Sequence, residues 1–418
     1  MTSSPKFHHC DQLIKFYNCF IIRDGQLVKE DFWIKSGKII NPEPIFYDEK
    51  SKPDVVIDCK HNIIAPGYID LQINGGYGFD FSNDNVDIEK AIDSVARGIV
   101  ASGVTSFCPT LITQSPESYK KIIPFIHRRP GSLENGASIL GLHLEGPFIN
   151  RKKRGAHPEH LVRDNIMKSF NELVDVYGTL EDVAIITLAP ELDGGSIIKE
   201  IVSHNIIVSM GHSVATLNQG YVAISNGANF ITHLFNAMLP FHHRDPGLVG
   251  LLAHSYPNSS KVPVYYGIIA DGIHTHDAAL RIAYQTNPDG LVCVTDAISA
   301  LGLEPGKKHK LGEQFIEICD SKAFIAGTET LCGSIATMSQ CVRNLNAVTN
   351  CGIVKAVECA SLHPAQVLGI TEFKGTLNFG SDADFIILDN QLNVLATFIG
   401  GQKVWIADHF PIKAAQLS

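Results

Sequence analysis

Five short stretches of this chain end in side chains that can do chemistry. "HLEGP" carries His143 and Glu145, "GHS" carries His212, and "THLFNAM" carries His233 and Asn236. "DGIH" adds Asp271 and His274, and "TDA" adds Asp296. Each closes an apolar run that reads as a strand. Glu145, His212 and His233 offer one carboxylate and two imidazoles, a donor set suited to zinc or iron(II) that leaves room for water. Zinc is the first expectation, and cobalt or manganese would fit the same donors. A cation so held brings the pKa of water down toward about 7 and polarises a carbonyl. Asp296, a carboxylate beside it, could take the proton and later deliver it to a leaving nitrogen. The chemistry is hydrolysis of an amide-like bond. Singly, each residue has a plainer reading: a hydrogen-bonded histidine, a carboxylate closing a loop, an aspartate capping a helix. The weight lies in the joint pattern.

Such residues meet only if the fold gathers strand ends. From about residue 88, helix-like segments alternate with short apolar runs. "IEKAIDSVARGIVASG" places Ile88, Ile92, Val95 and Ile99 on one helical face. "SPESYKKIIPFIHRR" opens on a Ser-Pro helix start. The strand candidates are "GYIDLQIN", "VTSFCPTL", "SILGLHLEGP", "VAIITLAPE", "IIVSMGHS", "ANFITHLFNAM", "VYYGIIADGIH" and "GLVCVTDAIS". Apolar strands between helices indicate a parallel sheet buried on both faces. Repetition across 66–365 predicts an α/β fold, a (β/α)8 TIM-like barrel, whose carboxyl ends of strands share one mouth. The flanks read differently. Residues 1–65 and 366–418 hold short strands joined by glycine turns, which predicts a small β-sandwich domain built from both chain ends.

The chain has 418 residues, 45% hydrophobic and 18% charged, with formal net charge −9. That acidity argues against a nucleic-acid partner. Ten scattered cysteines without a CxxC pair read as reduced, buried thiols. No run is long enough for a membrane span, and the first residues lack a signal-like apolar core, so a cytoplasmic protein is expected.

Read in order, "APGYIDLQINGG", "HLEGPFIN", "KRGAHPEH", "APE", "MGHS", "THLFNAM", "RDPGLVG", "GIIADGIH", "TDAI" and "LCGS" resemble the N-acetylglucosamine-6-phosphate deacetylases, within the amidohydrolase superfamily. The resemblance implies hydrolysis of N-acetyl-D-glucosamine 6-phosphate to D-glucosamine 6-phosphate and acetate, in amino sugar metabolism. It implies Glu145, His212 and His233 as ligands of one divalent metal per subunit. Asp296 would be the catalytic acid and base, and His157 would stand near the acetyl carbonyl. Asn236, Ala237 and Arg244 would receive the phosphate. His274 would contact substrate, and Ala156 with Leu331, Cys332 and Gly333 would line the sugar pocket. Arg244 would reach the neighbouring site of a homodimer.

Some relatives carry His-x-His on the first strand and bind two metals. Here Gln72 and Asn74 stand instead, neutral amides that bind divalent cations poorly. That departure resembles a single-metal branch and leaves a weak second ion near Gln72 and Asn74 open. A phosphate ester on an acidic protein needs a local positive patch: Arg244, His274 and backbone N–H groups near Asn236 and Ala237. The run Arg151 to Arg154 could add to it, though a solvated loop is the favoured reading. Two other functions fit the same residues: an amidohydrolase for a cyclic amide or another N-acyl compound, and an inactive sugar-phosphate sensor.

Overall fold

The computed structural model describes residues 12–49, 51–253, 264–304, 308–311, 314–319, 322–327, 333–410 and 414–416. Eight strands lie side by side in parallel: Tyr68–Ile73, Val104–Leu111, Leu142–Glu145, Val183–Leu188, Ile207–Met210, Phe230–Ile231, Tyr265–Ile268 and Leu291–Cys293. They are called barrel strands one to eight below, and each pairs with its neighbour in chain order. Past strand eight, the Asp296 N–H donates to the Gln72 carbonyl at 2.8 Å, and Ile73 bridges Ala297 in parallel. That seam closes the ring. The expected barrel is therefore present.

Local sequence explains most of the surrounding helices. The helix Ile88–Ile99 buries Ile88, Ile92, Val95 and Ile99 and is capped by the Asp87 carboxylate on the Lys90 N–H. Ser115 caps Pro116–Ile122, which ends two residues before Pro124. Both match the expected signals. Between strands six and seven the described residues form a 3-10 helix, Gly247–Ala253, rather than a longer α-helix.

The flanks form two sheets. One has five strands and joins 14–17, 32–35, 38–39 and 55–58 to 414–416. The other has six and joins 20–23, 26–28 and 63–66 to 385–388, 394–399 and 402–406. Between them lie Phe16, Phe32, Phe385 and Phe398, with ring centroids 4.5–5.9 Å apart. The outer face of the six-stranded sheet rests on the barrel, where Thr397 Oγ1 donates to the Val100 carbonyl at 2.7 Å. Among the described residues seven cysteines are free, six of them buried, and no helix is long and apolar enough to cross a membrane.

Candidate metal centre and active site

The carboxyl ends of strands three, five and six bring Glu145, His212 and His233 together. All three are at least nine-tenths buried. Glu145 Oε1 lies 3.0 Å from His212 Nε2 and 3.0 Å from His233 Nε2, and the two Nε2 atoms are 3.0 Å apart. Among the described residues this is the single group of three such donors.

The histidine protons show what the group can hold. His212 Nδ1 lies 2.8 Å from the Lys153 carbonyl, which can only accept, so Nδ1 carries the hydrogen. In the neutral ring Nε2 is then a bare lone pair, aimed at a carboxylate oxygen and a second imidazole nitrogen. The Glu145 oxygen, this lone pair and His233 Nε2 crowd one point, which a positive centre among them would relieve. The donor set fits a divalent cation. Burial pushes the Glu145 carboxyl up, but the two histidine rings set against it outweigh this and hold it well below the usual carboxylate range. His233 moves the opposite way: burial disfavours its charge, yet Glu145 raises it above the ordinary histidine value.

Gln72 and Asn74 face this centre as donors. Gln72 Nε2 lies 3.2 Å from both Glu145 oxygens and 3.2 Å from Asp296 Oδ1, and Asn74 Nδ2 donates to the same Asp296 oxygen at 2.7 Å. Gln72 thus ties the Glu145 carboxylate to that of Asp296, and Asn74 holds the Asp296 end. Asp296 is half-buried, with its backbone in the left-handed region at φ 46°. Burial, and then the nearby Glu145 charge, push its carboxyl up to about 6. A group titrating there can exchange a proton near neutral pH.

His157 packs against His212, ring centroids 4.5 Å apart. Its Nδ1 accepts from the Thr113 N–H at 3.3 Å and meets Thr113 Oγ1 at 2.8 Å. Because a backbone N–H can only donate, the ring hydrogen sits on Nε2. Burial, with His212 beside it, pushes this ring's pKa down to about 3. His157 is a neutral donor, and Thr113 and Lys153 orient rings from 44 and 59 residues away. Sequence reading missed both, since such pairs leave no local pattern.

The other expected residues are more dispersed. His274 Nδ1 lies 2.6 Å from Asp271 Oδ2, and Asp271 Oδ1 accepts the backbone N–H of Ile273 and His274, each at 2.8 Å. The Asn236 N–H is taken by the His233 carbonyl at 2.9 Å, and its side-chain amide donates to the Leu234 carbonyl at 3.4 Å. The Ala237 carbonyl accepts from Ser213 at 3.1 Å. Ala156 is exposed, and Gly333 has φ 115°. Leu331 and Cys332 lie outside the described residues. Arg244 is exposed, and its polar neighbours among the described residues are His242 and His243. Within the basic run, Arg151 pairs with Asp164 and Arg154 with Glu159, so acids offset much of its charge.

Fold and site together define a barrel hydrolase with a Glu-His-His centre. The pattern of the amidohydrolase family matches residues 63–404. An N-acetylglucosamine-6-phosphate deacetylase from Danio rerio is 54% identical over 398 residues, 94% of this chain and 97% of the relative. The crystal structure of N-acetylglucosamine-6-phosphate deacetylase from Pasteurella multocida superposes with a TM-score of 0.80 at 29% identity, covering 94% of this chain and 99% of that one. A mutant of the Mycobacterium smegmatis deacetylase, solved in complex with N-acetyl-D-glucosamine-6-phosphate, gives 0.78 at 29% identity, covering 94% and 99%. The chain belongs to the amidohydrolase family, among its N-acetylglucosamine-6-phosphate deacetylases.

Proposed function

We propose that this chain hydrolyses the N-acetyl bond of N-acetyl-D-glucosamine 6-phosphate, adding water to release acetate and D-glucosamine 6-phosphate. One observation carries the reading: Glu145, His212, His233 and Asp296 converge at the mouth of a barrel whose relatives are named for this reaction. A divalent cation, zinc first among those the donors suit, would polarise the acetamide carbonyl and acidify the attacking water. Asp296, with its carboxyl near 6, takes a proton from that water and returns it to the departing nitrogen. Gln72 and Asn74 hold the Asp296 oxygen in place for both transfers. His157 directs Nε2–H at the acetyl oxygen, where negative charge builds.

The phosphate falls to Arg244, His274, Asn236 and Ala237, and the sugar to Ala156 and residues 331–333. Asp271 orients His274 for that contact. Arg244 is exposed without a carboxylate partner among the described residues, which supports its reaching the neighbouring site of a homodimer. The same reading divides the chain into a barrel of residues 66–365 and a sandwich of residues 1–65 and 366–418, and places the enzyme in the cytosol.

The test is release of acetate from N-acetyl-D-glucosamine 6-phosphate, before and after treatment with a chelator and on return of zinc. Chelator-sensitive, zinc-restored release is expected. Absence of release with the metal bound would overturn the reading. Arg244→Ala should raise KM for the phosphorylated sugar more than it lowers kcat; equal turnover of the unphosphorylated sugar by the unaltered enzyme would remove the phosphate assignment.

A further inference from the structure

Beneath the metal centre a second set of polar side chains crosses the barrel interior. His143 Nδ1 lies 2.8 Å from the Leu71 carbonyl on strand one, and its Nε2 lies 2.7 Å from Thr187 Oγ1 on strand four. Thr187 Oγ1 is 2.7 Å from Thr232 Oγ1, which is 2.5 Å from Ser209 Oγ. All four side chains are fully buried. One chain of hydrogen bonds therefore links strands one, three, four, five and six. The hydrophobic effect would favour apolar residues at these depths, as at Leu71, Ile185 and Phe230 nearby. A buried polar chain is maintained only if every member is satisfied.

The place of the chain suggests its role. His143 stands two residues before Glu145, Thr232 one before His233, and Ser209 three before His212. Thr187 lies on the one strand between them that gives no ligand. It pairs in register with Glu145, and its carbonyl accepts the Gly146 N–H at 3.2 Å. At Gly211, immediately before His212, a Cβ would come within 2.8 Å of Thr232 Cβ and 3.0 Å of Thr187 Cγ2. The belt therefore touches the backbone that launches His212. It also supports a strained mouth: His212 and His233 have φ of 48° and 27°, a left-handed region that non-glycine residues adopt at a cost.

We propose that Thr187 is a positioning residue for the metal centre, the link through which the belt of His143, Thr232 and Ser209 sets the spacing of Glu145, His212 and His233. Val has nearly the shape of Thr but no hydroxyl. Thr187→Val would cut the belt in two, stranding His143 Nε2 without a partner and leaving the Thr232 hydroxyl with Ser209 alone.

The test reads metal binding directly, so it stands apart from the substrate assignment. The chelator-stripped full-length protein is titrated with zinc against a competing chelator, and the cobalt(II) form is examined by visible absorption. Thr187→Val should hold zinc roughly tenfold more weakly and shift the cobalt bands. Thr187→Ser, which restores a hydroxyl, should recover most of both. Wild-type zinc affinity and an unchanged cobalt spectrum in Thr187→Val would overturn the proposal. If Thr187→Val does not fold, Ser209→Ala at the open end of the belt serves instead: weakened zinc binding supports the proposal, and unaltered binding and spectrum overturn it.

Discussion

The two interiors of this molecule are built on opposite terms. The sandwich core is apolar: Phe16, Phe32, Phe385 and Phe398 interlock edge to face and in one stack, and Ile21, Ile57, Ile64 and Ile387 fill the space around them. The barrel mouth gathers two carboxylates, three imidazoles and two amides, all but Asp296 buried. Among the described residues the amide oxygens of Gln72 and Asn74 and the Nδ1 of His233 find no hydrogen-bond partner there. His212, His233, Phe235, Ala237 and Asp296 all have left-handed backbone. The first interior maximises what burial contributes to stability. The second carries unfavourable backbone and polar features that stability alone does not call for. Substitutions in the two places should therefore separate stability from turnover.

The sharpest contrast comes from the ligand set. Glu145→Gln keeps the shape of the side chain but removes the charge on which both histidines converge. Deacetylation should fall by about three orders of magnitude or more, with zinc lost on dialysis. A variant that retains zinc and near-normal turnover would break the contrast at its strongest point.

Asp296→Asn should come next. Its oxygen can still accept from Asn74, so zinc content should stay at the wild-type level while kcat falls roughly 10²–10⁴-fold. The pH profile gives an independent reading. The Asp296 carboxyl, raised to about 6, must be ionised to accept a proton, so wild-type kcat/KM should decline as pH drops through that value. In Asp296→Asn that decline should vanish. Its persistence would assign the titration to another group.

Phe398→Ala tests the other interior. Phe398 is 2% exposed and stacks on Phe385 at 4.5 Å, so truncation should cost about 3–5 kcal/mol of stability. Below its new unfolding transition the variant should keep kcat within about twofold. A collapse of kcat in fully folded protein would mean that the sandwich shapes the mouth more than its distance suggests.

The same contrast explains what the sequence disclosed. The sandwich and barrel were legible because their signals are local: alternation in the flanks, and the apolar stripe of Ile88, Ile92, Val95 and Ile99 with its cap at Asp87. Glu145, His212 and His233 were legible because parallel strands end at one mouth, so a position on a strand is also a position in space. What escaped were the pairs that tune those residues. Gln72 reaches Glu145 across 73 residues, and Thr113 reaches His157 across 44. Neither distance is encoded by a helical or strand period. The amides at 72 and 74 read as poor ligands, whereas in the structure Gln72 bridges the Glu145 and Asp296 carboxylates and Asn74 holds Asp296.

Asp70 offers the finest test, because it shares strand one with Gln72 but faces the seam with strand eight. It is fully buried; Oδ2 accepts from Thr295 Oγ1 at 2.5 Å, and Oδ1 takes the N–H of Thr295 and Gln72, each at 3.3 Å. Burial outweighs these bonds and pushes the carboxyl up from 3.8 to about 7. The folded chain then binds a proton that the unfolded chain has released between those values. Stability from this group is fully present below about pH 4 and is lost as pH rises through 7. An asparagine at this position has no such dependence. Its amide could donate to Thr295 Oγ1, which could pass its own hydrogen to the Gln72 carbonyl 3.4 Å away. Asp70→Asn should therefore gain on wild type between pH 5 and pH 8, by on the order of 2–3 kcal/mol in chemical unfolding. Parallel pH profiles for the two proteins would show that the seam carries no buried acid, and would place strand one with the apolar interior instead.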